Sequence, residues 1–192
     1  EEGLAGLGIV RLRQQRFAEA RDLLQRAVQR APSKAKKWRE ALATATFWEQ
    51  VRNAEALREA GRIEAAEAGL RQALAIEPKG TRELSVRSTL ADIMVQQNEY
   101  RAAEALYKEI LAVDPEYMDA VRGLIGILAR EQRVEEAIAV AERLPENLLS
   151  QLPNLSPLKA TYLREQAQAA LKAKDDASAE RFLKDALLLD PN

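Results

Sequence analysis

The stretch LAGLGIVRLRQQRFAEARDLLQRAVQRAP, residues 4–32, decides the fold of this chain. Large residues at Leu4, Leu7 and Leu24 surround small ones at Gly8, Ala20 and Ala27, and Pro32 closes the stretch. Two antiparallel helices approach to about 8–10 Å between axes only where the residues at the crossing are small. Gly8 and Ala20 therefore mark the crossing of a helical hairpin, and the leucines fill the space on either side.

Four more alanines, Ala66, Ala103, Ala137 and Ala179, stand in segments of the same design. Aligning them puts unit starts at Glu1, Phe47, Leu84, Met118 and Ala160, with spacings of 46, 37, 34 and 42 residues. The small residue of the first helix recurs as Ala54, Ala91 and Ala167 but becomes Ile125 in the fourth unit, and Pro78, Pro115 and Pro191 repeat the closing role of Pro32. The pattern predicts helices over 2–14 and 17–30, 34–60 and 63–76, 82–97 and 100–113, 116–131 and 134–143, and 157–173 and 176–189. A hairpin alone leaves one apolar face in water and its helices are marginal in isolation, so stacking on the neighbouring hairpin has to supply the missing stability.

This order of small and large residues resembles the tetratricopeptide repeat, whose period is about 34 residues. The resemblance implies an all-α fold, a tetratricopeptide-repeat solenoid in which antiparallel helix pairs wind into a right-handed superhelix. The units read as 1–34, 47–80, 81–117, an atypical 118–144, and 160–192. The surplus residues 35–46 lack any Gly or Pro before Gly61, so they extend the next helix or add a short one continuous with it.

Residues 145–159 contain Pro145, Pro153 and Pro157 and read as a loop or hinge. Ser156 with Pro157 suits a helix start, and the leucines at 148, 149, 152, 155 and 158 should hold the segment against the hairpins. Gly61, Asn98 and Asp175 with Asp176 punctuate three of the turns inside hairpins; Gln15-Arg16 and Gln132-Arg133 do so without such help.

Composition narrows the function. The chain has 29 basic and 30 acidic residues, so no net charge draws it to nucleic acid. Charge is uneven along it: residues 1–34 carry 7 basic and 4 acidic residues, residues 81–117 carry 4 and 7. Histidine and cysteine are both absent, which removes the commonest general base and the usual nucleophile and metal ligands, and no Gly-rich phosphate loop precedes a Lys-Ser or Lys-Thr. The reading is a non-enzyme with no cofactor. No apolar run is long enough to span a bilayer and no leader segment opens the chain. Because it starts and stops at unit boundaries, the expectation is a piece of a longer array.

In this repeat family the first helix of each unit lines an inner groove at its second, fifth, ninth, twelfth and thirteenth positions. Carried over residue by residue, these include Leu12 and Arg13 in the first unit and Trp48, Val51, Glu55 and Arg58 in the second. Later units offer Asp92 and Gln96, then Arg122 and Arg130, then Arg164, Gln168 and Lys172. The lining is mixed in charge. Chaperone-binding members grip a carboxylate with Lys at the fifth position and Asn at the ninth; here the pairs are Ala5 with Ile9, Val51 with Glu55, Ser88 with Asp92 and Arg122 with Gly126, so that clamp is missing. Trp38 and Trp48 lie on different sides of one helix, which puts at least one of them in the core.

Several stretches also look like the periplasmic tetratricopeptide-repeat region of the outer-membrane component of bacterial cellulose synthase. They are Gly6 to Arg13 with Arg16 to Ala20, Leu90 to Ile93 before Tyr100 to Ala105, and Arg164 to Ala170. That resemblance implies a periplasmic scaffold between an inner-membrane cellulose synthase and an outer-membrane pore. Its partners would be synthase subunits or other envelope proteins, with peptidoglycan or glucan touched weakly and no membrane insertion of this segment. A cytosolic adaptor for partner peptides, or the repeat region of another exopolysaccharide exporter, remains open on the residues alone.

Overall fold

The computed structural model describes residues 1–76 and 82–191, with Arg82 described by its backbone only. Pro78 and the predicted boundary between units at 80–81 lie outside the described residues. Among the described residues the chain is helical and without strands. It forms two compact units, Glu1–Ile93 and Met94–Asn192.

The first unit begins with α1 (Glu2–Arg13) and α2 (Phe17–Arg30), which pair as a hairpin. A single 3-10 turn, Pro32–Lys34, leads directly into α3 (Ala35–Glu59), and α4 (Ile63–Leu74) folds back on α3. Helix α5 (Arg82–Gln96) begins in this unit. The surplus residues 35–46 thus make one continuous 25-residue helix with the helix that follows. Its early turns run along α2, so that α1 touches α3 only lightly.

The core of this unit is small residues ringed by large ones. Ala5, Ala20, Leu24, Ala27, Trp38 and Ala45 are buried together, with Leu4, Ile9, Leu12 and Leu42 packed against them. A Cβ on Gly8 would sit 2.8 Å from Leu24 Cγ and 3.3 Å from the Ala20 carbonyl, so glycine is what permits this crossing. In the second hairpin Gly69 plays the same part against Ala54, where an added Cβ would lie 3.1 Å from the alanine methyl.

In the second unit α6 (Tyr100–Val113) packs on α7 (Met118–Arg130), α7 on α8 (Val134–Ala141), and α10 (Leu155–Lys172) on both α8 and α11 (Asp176–Leu189). The short α9 (Glu146–Leu149) lies between α8 and α10. The first helix of the atypical hairpin, α7, approaches α6 of the preceding one closely at a glycine. Tyr107 is only 1% exposed, and its ring occupies the place where a side chain on Gly123 would be: a Cβ there would come within 2.6 Å of the ring carbon Cε2 and of the hydroxyl oxygen.

Every predicted end of the ten long helices falls within two residues of the observed one. One reading needs correction. The segment 145–159, read as a loop or hinge, contains the helical turn α9 with Pro145 as its N-cap, while its leucines pack as expected: Leu152 and Leu155 are buried with Val121, Ala141 and Leu144, with Leu148 and Leu149 against them. Helix α10 starts at Leu155, so Ser156 and Pro157 lie inside its first turn. A proline is tolerated there because that turn has no intrahelical partner for its N–H.

Asn98, read as punctuation of the third hairpin's turn, adopts a φ of 63° and ends α5, while Glu99 is the N-cap of α6. Asn98 belongs to a series. Gln15, Gly61, Asn98, Gln132 and Lys174 all have positive φ, between 58° and 73°. Each stands five residues before the alanine of its hairpin, so the series repeats the alanine spacing.

At every one of these turns the next residue's N–H reaches back to a carbonyl five residues earlier. The bonds are Arg16 to Arg11, Arg62 to Leu57, Glu99 to Met94, Arg133 to Leu128 and Asp175 to Ala170, at 2.8 to 2.9 Å. This is the six-to-one bond of a helix stop built on a left-handed residue. Among the described residues only α11 has a side chain as its N-cap acceptor: Asp175 takes the Ser178 N–H at 3.1 Å, and the Ser178 side chain, followed by that N–H, holds its carboxyl below the usual range. Backbone geometry, repeated five times, makes the hairpins.

Candidate functional site

A hollow of about 850 Å³ lies in the first unit beside α1, α3 and the start of α2. It exists because α3 follows α2 and leaves the end of α1 uncovered. Leu12, Arg13, Gln15, Phe17, Thr44, Trp48, Val51, Arg52 and Glu55 line it. Its volume lies within the range of about 300–1,000 Å³ typical of ligand sites.

Aromatic packing shapes the floor. Trp48 is half-buried and stacks on Phe17 at 5.9 Å between centroids with 26° between planes, while Phe47 meets it edge-on at 5.0 Å. The Arg52 guanidinium stands 6.0 Å from the Phe17 ring centre. Trp38, by contrast, is 7% exposed and belongs to the core, so of the two tryptophans it is the core one. At the wall, the Thr44 hydroxyl donates to the Glu40 carbonyl at 2.9 Å. Arg13, Arg52 and Glu55 are exposed and form no ion pair among the described residues.

Of the groove positions read from the sequence, Leu12, Arg13, Trp48, Val51 and Glu55 come together in this hollow. Arg58 is exposed farther along α3, and Asp92 is exposed on α5. In the second unit Gln96, Gln168 and Lys172 are exposed, and Arg122 pairs with Asp119 at 2.6 Å. Arg130 lies over the Tyr100 ring at 4.9 Å. Arg164 is already engaged: both its terminal nitrogens bond the Asp190 carboxylate at 3.1 Å and one also bonds the Asp190 carbonyl at 3.0 Å, tying α10 to the end of α11.

Gln15, Phe17, Thr44 and Arg52 were not among the predicted positions. Gln15 comes from the turn, Phe17 from the second helix of the first hairpin, Thr44 from the inserted turns of α3, and Arg52 from the first helix of the second repeat, between the groove positions Val51 and Glu55. The sequence signal for Thr44 is the insertion itself.

A second groove of about 440 Å³ lies in the other unit between α6, α7 and α8, floored by Leu111, Val121, Leu124, Leu128 and Val140. Lys108, Glu136 and Arg143 edge it. No helix among the described residues is long and apolar enough to cross a membrane, and no group of acidic, histidine or cysteine residues there could hold a metal ion.

Two tetratricopeptide-repeat family models match the chain, one over residues 2–35 and 89–148 and the other over 57–112. With two thirds of its length matched and helical hairpins throughout, the chain belongs to the tetratricopeptide-repeat family, whose fold serves protein interaction. It is similar to cellulose synthase operon protein C of Xanthomonas axonopodis pv. citri, with 36% identity over 190 residues, covering 99% of this chain and 12% of that protein. It is also similar to the protein of the same name from Pseudomonas fluorescens, with 28% identity over 193 residues, covering 99% and 14%. The chain therefore spans about an eighth of the length of these relatives. Among solved structures, one of MamA aligns over 98% of this chain and 91% of its own at 20% identity, with a TM-score of 0.46.

Proposed function

We propose that this chain is a non-catalytic scaffold segment of an outer-membrane cellulose exporter, lying in the periplasm and helping to couple the synthase to the export pore. The observation that carries the reading is the 36% identity that extends across 99% of the chain to a cellulose synthase operon protein. The fold supports it, because stacked hairpins present extended, exposed polar surfaces of the kind used for binding partners.

In the first unit the partner-facing residues of this reading are Trp48, Glu55, Arg58 and Asp92. In the second they are Gln96, Arg122, Arg130, Gln168 and Lys172, with Arg164 acting through its hold on Asp190. The partners are synthase subunits or other envelope proteins, with peptidoglycan or glucan as weaker contacts.

The test is a photo-crosslinking amino acid placed at Arg58, and separately at Lys172, in the full-length protein in cells making cellulose. Cross-links to synthase subunits or envelope proteins, together with protease sensitivity of the segment in spheroplasts, are the expected result. Cross-links confined to cytosolic proteins, or protection from protease until the inner membrane is broken, would replace the exporter with a cytosolic adaptor.

A further inference from the structure

The hollow beside α1 and α3 has a lining whose chemistry selects its occupant. Arg13 and Arg52 are donors with no acceptor capacity, and Glu55 is an acceptor with no donor capacity. None of the three is neutralised by an ion pair among the described residues. An anionic ligand would meet Glu55, and a cationic one would meet two guanidinium groups. A neutral molecule whose groups both donate and accept satisfies all three at once, and hydroxyl groups do so.

The floor adds a second requirement. Trp48 and Phe17 offer aromatic surface, whose negatively polarised faces favour the weakly positive C–H groups of a partner. Gln15 supplies the only side-chain amide of the lining, which is poor provision for an extended peptide backbone with its alternating N–H and C=O groups. Hydroxyls around the rim of a molecule and C–H groups on its faces describe a pyranose ring.

We propose that this hollow is a binding site for a neutral pyranose chain, held on Trp48 and Phe17 and hydrogen-bonded by Arg13, Arg52, Glu55 and Gln15. The inserted turns of α3 contribute Thr44 to the lining, and Trp48, Val51, Arg52 and Glu55 come from the repeat that follows on the same helix. The exporter reading enters only in choosing which sugar to try.

The probe is cellohexaose, a soluble β-linked glucose oligomer, titrated into the isotopically labelled 192-residue chain and followed by NMR. The chain has two tryptophans, so the two indole N–H signals act as a site reporter and an internal control. The expected result is a saturable shift of the Trp48 signal, none of the buried Trp38 signal, and an affinity unchanged by added salt because the ligand carries no charge. Arg13→Ala combined with Glu55→Ala removes two exposed side chains that support no packing; this variant should keep its helical circular dichroism and lose about tenfold in affinity.

Absence of a saturable Trp48 shift would overturn the proposal, as would equal affinity in the double variant. So would binding that collapses with salt or is displaced by an acidic peptide. A failed titration alongside envelope cross-links at Arg58 and Lys172 leaves the scaffold reading intact, and the reverse outcome leaves the sugar site standing alone.

Discussion

Glu104 and Arg133, 29 residues apart, close α6 onto the start of α8 through a two-pronged ion pair with bonds of 2.9 and 3.0 Å. Glu104 is 9% exposed and also takes Lys108 at 2.6 Å, while Arg133 bonds Glu131 and Glu136 as well. Hydrogen bonds from Arg133 and then Lys108 bring the Glu104 carboxyl down to about 2, and its three carboxylate partners raise Arg133. A carboxyl whose acidity is greater in the folded state stabilises the fold at pH above its unfolded value, and that contribution is lost as pH falls through the folded value. Denaturant midpoints of the wild type should therefore fall between about pH 4.5 and pH 2, and Glu104→Gln should flatten that part of the profile. At neutral pH the same variant should cost about 1–3 kcal/mol, since it leaves Arg133 with a weaker partner.

The left-handed residues make the second prediction. Gln15, Gln132 and Lys174 hold a conformation that costs an L-residue roughly 1–2 kcal/mol, partly offset in glycine by about 0.5–1 kcal/mol of extra unfolded-state entropy. Gln15→Gly, Gln132→Gly and Lys174→Gly should each raise the thermal midpoint, with gains of about 0.5–1 kcal/mol. Gly61→Ala, at a φ of 73°, should lower it by about 1 kcal/mol.

Gly123 and Gly126 lie in the same helix and should respond in opposite directions. A methyl on Gly123 meets the Tyr107 ring, whereas one on Gly126 meets nothing within 4 Å. Gly123→Ala should destabilise by about 1–3 kcal/mol and Gly126→Ala should stabilise by about 0.5–1 kcal/mol. A double-mutant cycle of Gly123→Ala with Tyr107→Leu should show that the two losses do not add, because the smaller side chain relieves the clash.

At the hairpin crossings, Ala66 and Ala103 have no exposed surface, so Ala66→Leu or Ala103→Leu has to displace a neighbouring helix. Each should lower stability by about 1–3 kcal/mol in chemical denaturation. Ala105→Leu, at an exposed position of the same α6, should leave it nearly unchanged.

Much of the fold was legible because close helix packing demands small residues, and small residues are visible as letters. Ala20, Ala66, Ala103, Ala137 and Ala179 mark the hairpins in the sequence, and all five are buried. What ends each helix was legible only at Gly61, because the left-handed conformation at Gln15, Gln132 and Lys174 follows from the bonds around it and not from those side chains. Helix α9 was hidden for another reason: four residues are about one turn, too few to show a period. Its leucines were still readable as anchors, since an apolar run among prolines has to find cover.

The candidate site was half legible. Arg13, Trp48 and Glu55 occupy positions that a regular repeat would turn inward, and they line the hollow together. Phe17 completes it from the second helix of its hairpin and Arg52 from a place on α3 between two groove positions, so the position rule lists neither. Trp48 was separable from Trp38 only as one of two on different sides of one helix, and burial decides which is which.

Helix α3 has one further consequence. At 25 residues it is about 37 Å long, and it serves both as the partner of α2 and as the partner of α4. The first two hairpins are therefore carried on a single beam, and neither can come undone without stripping cover from it. Amide protons from Phe17 to Leu74 should open to solvent as one cooperative block, so a pull on either hairpin is felt by the other before anything between them yields.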